Sequence, residues 1–267
     1  MRQPTLPPPA APKKRKKRRK SLLLSFLGFG FATFVLIFLA VSGAAGFLLY
    51  QASKDLPDYE SLSKYEPPVM TRIHAHDGSL ISEFARERRI FVPVTSIPKR
   101  VLGAFLSAED RRFYEHGGLD FQGIARAVYA AVETKMRGGN KRAQGASTIT
   151  QQVAKNFLLT NERSIERKIK EAILAIRIER AYSKDKILEL YLNEIYLGLN
   201  SYGVAAASLT YFNKELANLD IEEAAYLAAL PKAPNNYHPF RQKEKATERR
   251  DWIIGQMAEN GYITREE

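Results

Sequence analysis

The 267-residue sequence contains no cysteine, which removes disulfides, thiolate zinc sites and a cysteine nucleophile together. Acidic residues are missing from positions 1–20, and charge of either sign is missing from positions 21–53. The first absence matters because the chain carries a net charge of +12. Nine of the bases lie in residues 1–20, as Arg2 and the unbroken run Lys13 to Lys20, so only +3 remains for everything else. A nucleic-acid partner for the whole chain therefore loses its support. No internal repeat is present, which excludes a solenoid. Three S-x-x-K matches occur (Ser61 to Lys64, Ser96 to Lys99, Ser183 to Lys186), but S-D-N and K-T-G are absent, so the matches are read as chance and no transpeptidase activity is expected from these residues.

The uncharged segment explains the basic run before it. As a helix, Leu22 to Tyr50 is roughly 43 Å long, against a hydrocarbon core of about 30 Å. It is too long for the apolar region of a signal peptide, and the small residues Ser42 to Gly46 are not taken as a cleavage site. Residues 21–52 are thus expected to form a single transmembrane signal anchor. The positive run on its N-terminal side predicts a cytoplasmic, disordered tail over 1–20, tipped by "PTLPPPAAP", with the rest of the chain outside the cytoplasmic (inner) membrane.

Residues 53–68 read as a linker ending in Pro67-Pro68. "TRIHAHDGSLISEF" then predicts a hairpin turning at Asp77-Gly78, followed by a strand at "RIFVPV". His74 and His76 share a strand face in this reading; half-exposed strand residues fit better than a metal pair. From Pro98 onward the pattern is helical, near 99–116, 120–137, 148–158, 164–181, 184–197, 201–211, 221–230 and 246–259. Asp220 with Glu223 makes a capping box, and "RGGNKRAQG" (137–145) is a loop. The helix 120–137 carries Phe121, Ile124, Val128, Val132 and Met136 on one face. That face is either core packing or a surface that dips into a membrane.

Three stretches hold residues suited to chemistry. Leu102, Phe105, Glu109, Phe113 and His116 recur at helical spacing, which puts a carboxylate in an apolar stripe. Such a group needs a raised pKa, a cation or a cleft, as a general base does, or else a structural ion pair with Arg112 or His116. In "QGASTITQQVAKN", Ser147 or Thr148 caps a helix, Thr148 and Gln151 fit a capping box, and Thr148, Gln152 and Lys155 share a polar face. In "NERSIERKIKEAILAIRIE", Arg163, Arg167 and Glu171 stand four apart with Lys168 beside them. This is either a salt-bridge ladder or a cationic face for an anionic leaving group.

"AEDRRFYEHGG", "GASTITQQVAKN", "RKIKEAILAIRIE", "KDKILELYLNEIYLG" and "AAYLAALPKAP" occur in that order. Together they resemble the five motifs of the peptidoglycan glycosyltransferase family (family 51) found in class A penicillin-binding proteins, over roughly residues 70–240. The resemblance implies a mainly α, lysozyme-like domain, here 69–245, behind a short β-hairpin region, with a membrane-embedded jaw. It implies that 246–267 begins a linker towards a transpeptidase domain. The implied reaction is inverting transfer between lipid II and the growing glycan chain, releasing undecaprenyl pyrophosphate. Glu109 becomes the catalytic general base and Glu171 the second catalytic carboxylate, assisting the leaving group or a divalent cation. Asp110 and His116 support Glu109. Lys155, Arg163, Arg167 and Lys168 neutralise pyrophosphate, and Phe113, Ser147, Thr148, Gln152 and Asn156 complete the substrate-binding set. A divalent cation (Mg2+ or Mn2+), the cytoplasmic membrane and cell-wall activator proteins are the implied cofactor and partners. A lytic glycan-cleaving enzyme and a non-enzymatic membrane scaffold are the competing readings. The first has no use for the cationic face, and the second tolerates loss of both carboxylates.

Overall fold

The structure, a computed structural model, describes residues 22–54, 56–65, 71–84, 87–138, 147–159 and 164–267. The basic tail 1–20, most of the loop 137–145 and Arg163 lie outside the described residues. The chain divides into two compact units, residues 1–51 and 52–267.

The first unit contains most of helix α1 (Leu22–Lys54), which is exposed along its apolar length and is long and apolar enough to cross a membrane. The second unit opens with a 3-10 turn at Glu60–Lys64 whose Leu62 is buried in the core. The expected linker over 53–68 is therefore partly folded. Strands β1 (Thr71–His74) and β2 (Leu80–Phe84) pair antiparallel, with Thr71 opposite Phe84. Gly78 takes the left-handed conformation that turns the hairpin, and the Asp77 carboxylate accepts from the Ser79 N–H at 3.0 Å. His76 falls in this turn and not on the strand, and among the described residues no three His, Asp or Glu side chains converge as metal ligands.

The strand expected at "RIFVPV" is reduced to β3 (Arg88–Arg89), which pairs parallel with β4 (Ser201–Tyr202). The buried Arg89 explains the anchoring here. Its guanidinium clasps Glu194 with two N–H donors, the longer at 3.0 Å, and stacks 4.4 Å from the Tyr202 ring. Beyond it, Asn193 accepts from the Val92 N–H at 2.8 Å and donates back to the Val92 carbonyl at 2.9 Å, so the segment is held by a side chain in place of a ladder.

Among the described residues eight helices follow: α2 (Lys99–Glu109), α3 (Phe121–Met136), α4 (Ile149–Leu158), α5 (Ile165–Ala181), α6 (Lys184–Glu194), α7 (Val204–Phe212), α8 (Ile221–Ala229) and α9 (Lys243–Glu259). They are the eight that the periodicity predicts, and the mainly α expectation holds. Helix α8 packs on α2 and α9, while α4 packs on α5 and α6. The apolar stripes meet in one core that includes Phe105, Ile149, Leu174, Ile178 and Tyr191, each nearly inaccessible to solvent. Helix α9 belongs to this core through Ile253 and Met257, so the expected boundary at 246 falls inside a packed helix. Helix α3 is the exception: none of its residues is buried, and Phe121, Val128 and Met136 are 72%, 58% and 83% exposed. Its apolar face does not pack on the core.

Candidate active site

Helix α2 ends earlier than its periodicity suggests. Asp110 adopts φ −158°, ψ 75° and cannot continue the helix, so Glu109 is the last helical residue. Phe113 and His116 follow in turns, and the five-residue stripe is not one helical face. The cause is the Asp110 carboxylate, which is 6% exposed. It accepts from the Ile149 N–H at 3.0 Å, one of the four donors left unpaired at the start of α4. It is also met at 3.0 Å by His116 Nε2. His116 Nδ1 accepts from the Gly118 N–H at 3.2 Å, so this arrangement puts the ring proton on Nε2 and the ring is the neutral donor to Asp110.

The turn is nailed down at its other end. The Thr148 hydroxyl donates to the Gly118 carbonyl at 2.7 Å and accepts from the Gln151 N–H at 3.1 Å, completing the capping box expected for α4. Gly118 has φ +95°, and a Cβ there would stand 2.8 Å from the Ala175 backbone of α5. The start of α4 is thus registered against the end of α2. Gln152, one turn along, consequently meets Glu109: its Nε2 donates to Oε2 at 2.7 Å.

No cation forms an ion pair with Glu109 among the described residues. Arg112 pairs with Glu115 at 2.7 Å and Asp120 at 2.9 Å, and His116 is taken by Asp110, so the structural ion pairs considered for Glu109 do not form. Burial pushes the Glu109 carboxyl above the ordinary carboxylate range. The Gln152 amide and the charges of Arg249 and Lys232 pull it back, and Asp110 pushes it up further. Glu109 lines a cleft of about 580 Å3, with Thr148 and Gln152 on one wall and Lys232 and Arg249 on another.

Glu171 has the opposite surroundings. It is 2% exposed on α5, with Lys168 Nζ at 2.6 Å from Oε2 and Arg167 Nη1 at 3.3 Å from Oε1. Lys168 also donates to Ser147 Oγ at 2.8 Å, tying α5 to the rim of the cleft. The buried Arg167 Nε–H has no hydrogen-bond partner among the described residues. Lys155, one turn beyond Gln152, is half-buried. Burial and the charges of Arg167 and Lys168 lower its pKa, while Glu171 and Glu109 raise it, so it feels both carboxylates. Arg167 and Lys168 pair with Glu171, and Lys155 lies between its influence and that of Glu109, so three cations meet two carboxylates and positive charge is left for an anionic ligand.

A family model described as Transglycosylase matches residues 77–258. The chain belongs to the transglycosylase family. It is 50% identical over 233 residues to "Penicillin-binding protein 1A" of Rickettsia felis, covering 87% of this chain and 29% of that protein. It is 48% identical over 214 residues to the protein of the same name from Aquifex aeolicus, covering 80% and 29%. A crystal structure of penicillin-binding protein 1A from Haemophilus influenzae is similar over 76% of this chain and 20% of that one, at 28% identity and a TM-score of 0.40. The chain thus spans about 29% of the length of the curated relatives it matches.

Of the residues expected at a transglycosylase site, the structure gathers Glu109, Ser147, Thr148 and Gln152 on one cleft, with Asp110 lining it from below. His116 is bonded to Asp110. Lys155, Arg167, Lys168 and Glu171 form the adjoining cationic cluster, and Asn156 lies half-buried on α4 beside them. Phe113 departs from expectation. It is 1% exposed, packed edge-on to His116 at 6.3 Å with Lys184 over its ring at 4.4 Å, and it belongs to the core instead of the substrate surface. Sequence reasoning missed Arg249 and Trp252 of α9, because that segment reads as a linker. The signal was there as "RRDW", a cation and an aromatic three residues apart on a helix.

Proposed function

We propose that this chain is a membrane-anchored peptidoglycan glycosyltransferase that polymerises lipid II. The observation that carries the reading is the contrast between two neighbouring carboxylates. Glu109 has a neutral amide as its hydrogen-bond partner in a cleft, and Glu171 is clasped by cations that retain spare positive charge. Glu109 takes the proton from the acceptor 4-hydroxyl as that oxygen bonds to the anomeric carbon of the growing chain. The bond from that carbon to the lipid pyrophosphate breaks on the opposite face, which inverts the centre. Lys155, Arg167 and Lys168, with Arg163 by the family resemblance, take up the charge on the departing pyrophosphate. Glu171 fixes the orientation of those cations.

A protein-held divalent cation does not fit these residues. Glu171 Oε2 is taken by Lys168; Oε1 makes no hydrogen bond among the described residues but has the Arg167 guanidinium 3.3 Å away, and no further carboxylates converge there to outweigh those cations. Mg2+ or Mn2+ would arrive as a counter-ion of the pyrophosphate. The apolar helix α1 suits an enzyme whose substrates are membrane lipids. The bare apolar face of α3 suits contact with the same hydrocarbon. With the basic tail in the cytoplasm, the transferase unit works on the outer side of the membrane, where activator proteins could reach it.

The test is a lipid II polymerisation assay in detergent, with wild type beside Glu109→Gln and circular dichroism to confirm folding. Glycan strands from the wild type and none from the variant support the transfer and its base. Cleavage of preformed glycan in place of synthesis would select the lytic enzyme, and equal activity in both proteins would remove Glu109 from the chemistry.

A further inference from the structure

Helix α9 lies beyond the five motifs, yet it grips the last turns of α2. A Cβ on Gly103 would stand 2.6 Å from the ring of Tyr262, so the segment after α9 is in close contact with α2. Asn260 Nδ2 donates to Ser107 Oγ at 3.0 Å. Arg249 Nη2 donates to the carbonyl of Ala108 at 3.4 Å, one residue before Glu109 and among the α2 carbonyls that have no helical partner. The Arg249 guanidinium lies 4.1 Å from the Trp252 ring centroid, its Nε–H is buried without a hydrogen-bond partner among the described residues, and it shares the cleft with Glu109.

We propose that Arg249 is a positioning residue for Glu109: it fixes the end of α2 and supplies the held positive charge that faces the carboxylate across the cleft. The proposal rests on Glu109 being the base. Six groups act on Glu109: Asp110 beside it, Gln152 and Lys155 from α4, the neutral Tyr191 hydroxyl from α6, Lys232 after α8, and Arg249 from α9. Asp110 and burial favour the protonated form, in which Glu109 cannot act as a base. Lys155 on α4, Lys232 after α8 and Arg249 on α9 oppose them. Lys232 is exposed, so water and salt weaken its charge. Arg249 is half-buried and its guanidinium is held by an aromatic ring and a carbonyl, which makes it the stronger and better-placed influence. Burial lowers its own pKa, yet an arginine stays charged at any working pH.

The experiment uses the full chain in detergent and reads two quantities: the pH dependence of lipid II polymerisation, and the titration of the Glu109 side-chain carboxyl by 13C NMR, assigned with Glu109→Gln. Arg249→Gln is expected to move the acidic limb and the NMR midpoint upward by about one pH unit. Activity then falls about tenfold below the limb and recovers at high pH. Arg249→Lys keeps a charge and restores most of the shift. Trp252→Leu frees the guanidinium and moves both readouts the same way by less. Unmoved NMR midpoints in both Arg249→Gln and Trp252→Leu would overturn the proposal, as would a loss in Arg249→Gln that is uniform across pH. If Arg249→Gln does not fold, Trp252→Leu decides by the same midpoint. Failure of the base assignment is distinguishable, because there Glu109→Gln itself retains polymerisation.

Discussion

Two carboxylates, 62 positions apart in the chain, occupy opposite electrostatic worlds within one site. Glu109 closes a helix and accepts from an amide, and its pKa is raised. Glu171 sits mid-helix, almost inaccessible, between a lysine and an arginine. A buried carboxylate in a cleft, with its pKa raised and no cation paired to it, is suited to accept a proton. One pinned between cations can only hold them in place. The difference lies in what the neighbouring helices present, and not in the residues themselves. Changing one carboxylate should therefore damage chemistry, and changing the other should damage structure.

Glu109→Gln gives the largest expected effect. Polymerisation falls about 10²–10⁴-fold, the contribution of a general base, measured by initial rates at fixed lipid II concentration. Stability moves the other way. A carboxyl whose pKa is raised by folding stabilises the protein below its unfolded pKa and loses that contribution as pH rises through the folded pKa. Relative to wild type, the variant should gain thermal stability at neutral pH and lose that advantage in acid. A variant less stable at neutral pH would mean that Glu109 is a structural partner, and the contrast with Glu171 would collapse.

Glu171→Ala comes next and inverts the pattern. Breaking a fully buried pair costs about 3–5 kcal/mol, but Lys168 is half exposed and can turn to water, so about 2 kcal/mol is expected from denaturant titration. Activity should fall through KM, since Lys168 and Arg167 lose the group that aligns them. A loss confined to kcat would give Glu171 a direct part in the chemistry.

Much of this site can be read in the sequence, for a physical reason. The capping box of Thr148 and Gln151, the i,i+4 spacing of Arg167 and Glu171, and the helix periods are local patterns, and local patterns fix local geometry. What could not be read is tertiary. The stripe from Leu102 to His116 looks like one helix because nothing within it reveals that Asp110 will serve the N-terminus of α4, 39 residues on. Phe113, put in the substrate-binding set by the family resemblance, packs in the core because the turn after Asp110 carries it inward. The "RRDW" pairing of Arg249 with Trp252 is local and legible, but the link from Arg249 to the Ala108 carbonyl and Glu109 spans about 140 residues and is not. Arg163 matches the motif but lies outside the described residues.

Asp110→Asn should cost about 1.5–3 kcal/mol, because it weakens a charge-assisted bond from the Ile149 N–H and the bond from His116. It should also lower activity, since that contact sets where α4 presents Gln152. Chemical denaturation and initial rates check the two effects on the same preparation.

Thr148→Ala sharpens the comparison further, because it cuts the other tie at the same helix start. It removes the hydroxyl that accepts from the Gln151 N–H and donates to the Gly118 carbonyl, while the Thr148 N–H still reaches Gln151 Oε1 at 3.0 Å. Loss of an N-cap costs about 1 kcal/mol, and half of the capping box survives here. Asp110 continues to hold Ile149, so Gln152 should stay on Glu109. The expected outcome is a modest fall in stability with a smaller loss of polymerisation rate than Asp110→Asn gives. A rate as low as that of Asp110→Asn would show that the cap, and not the aspartate, sets the register of α4 against the base.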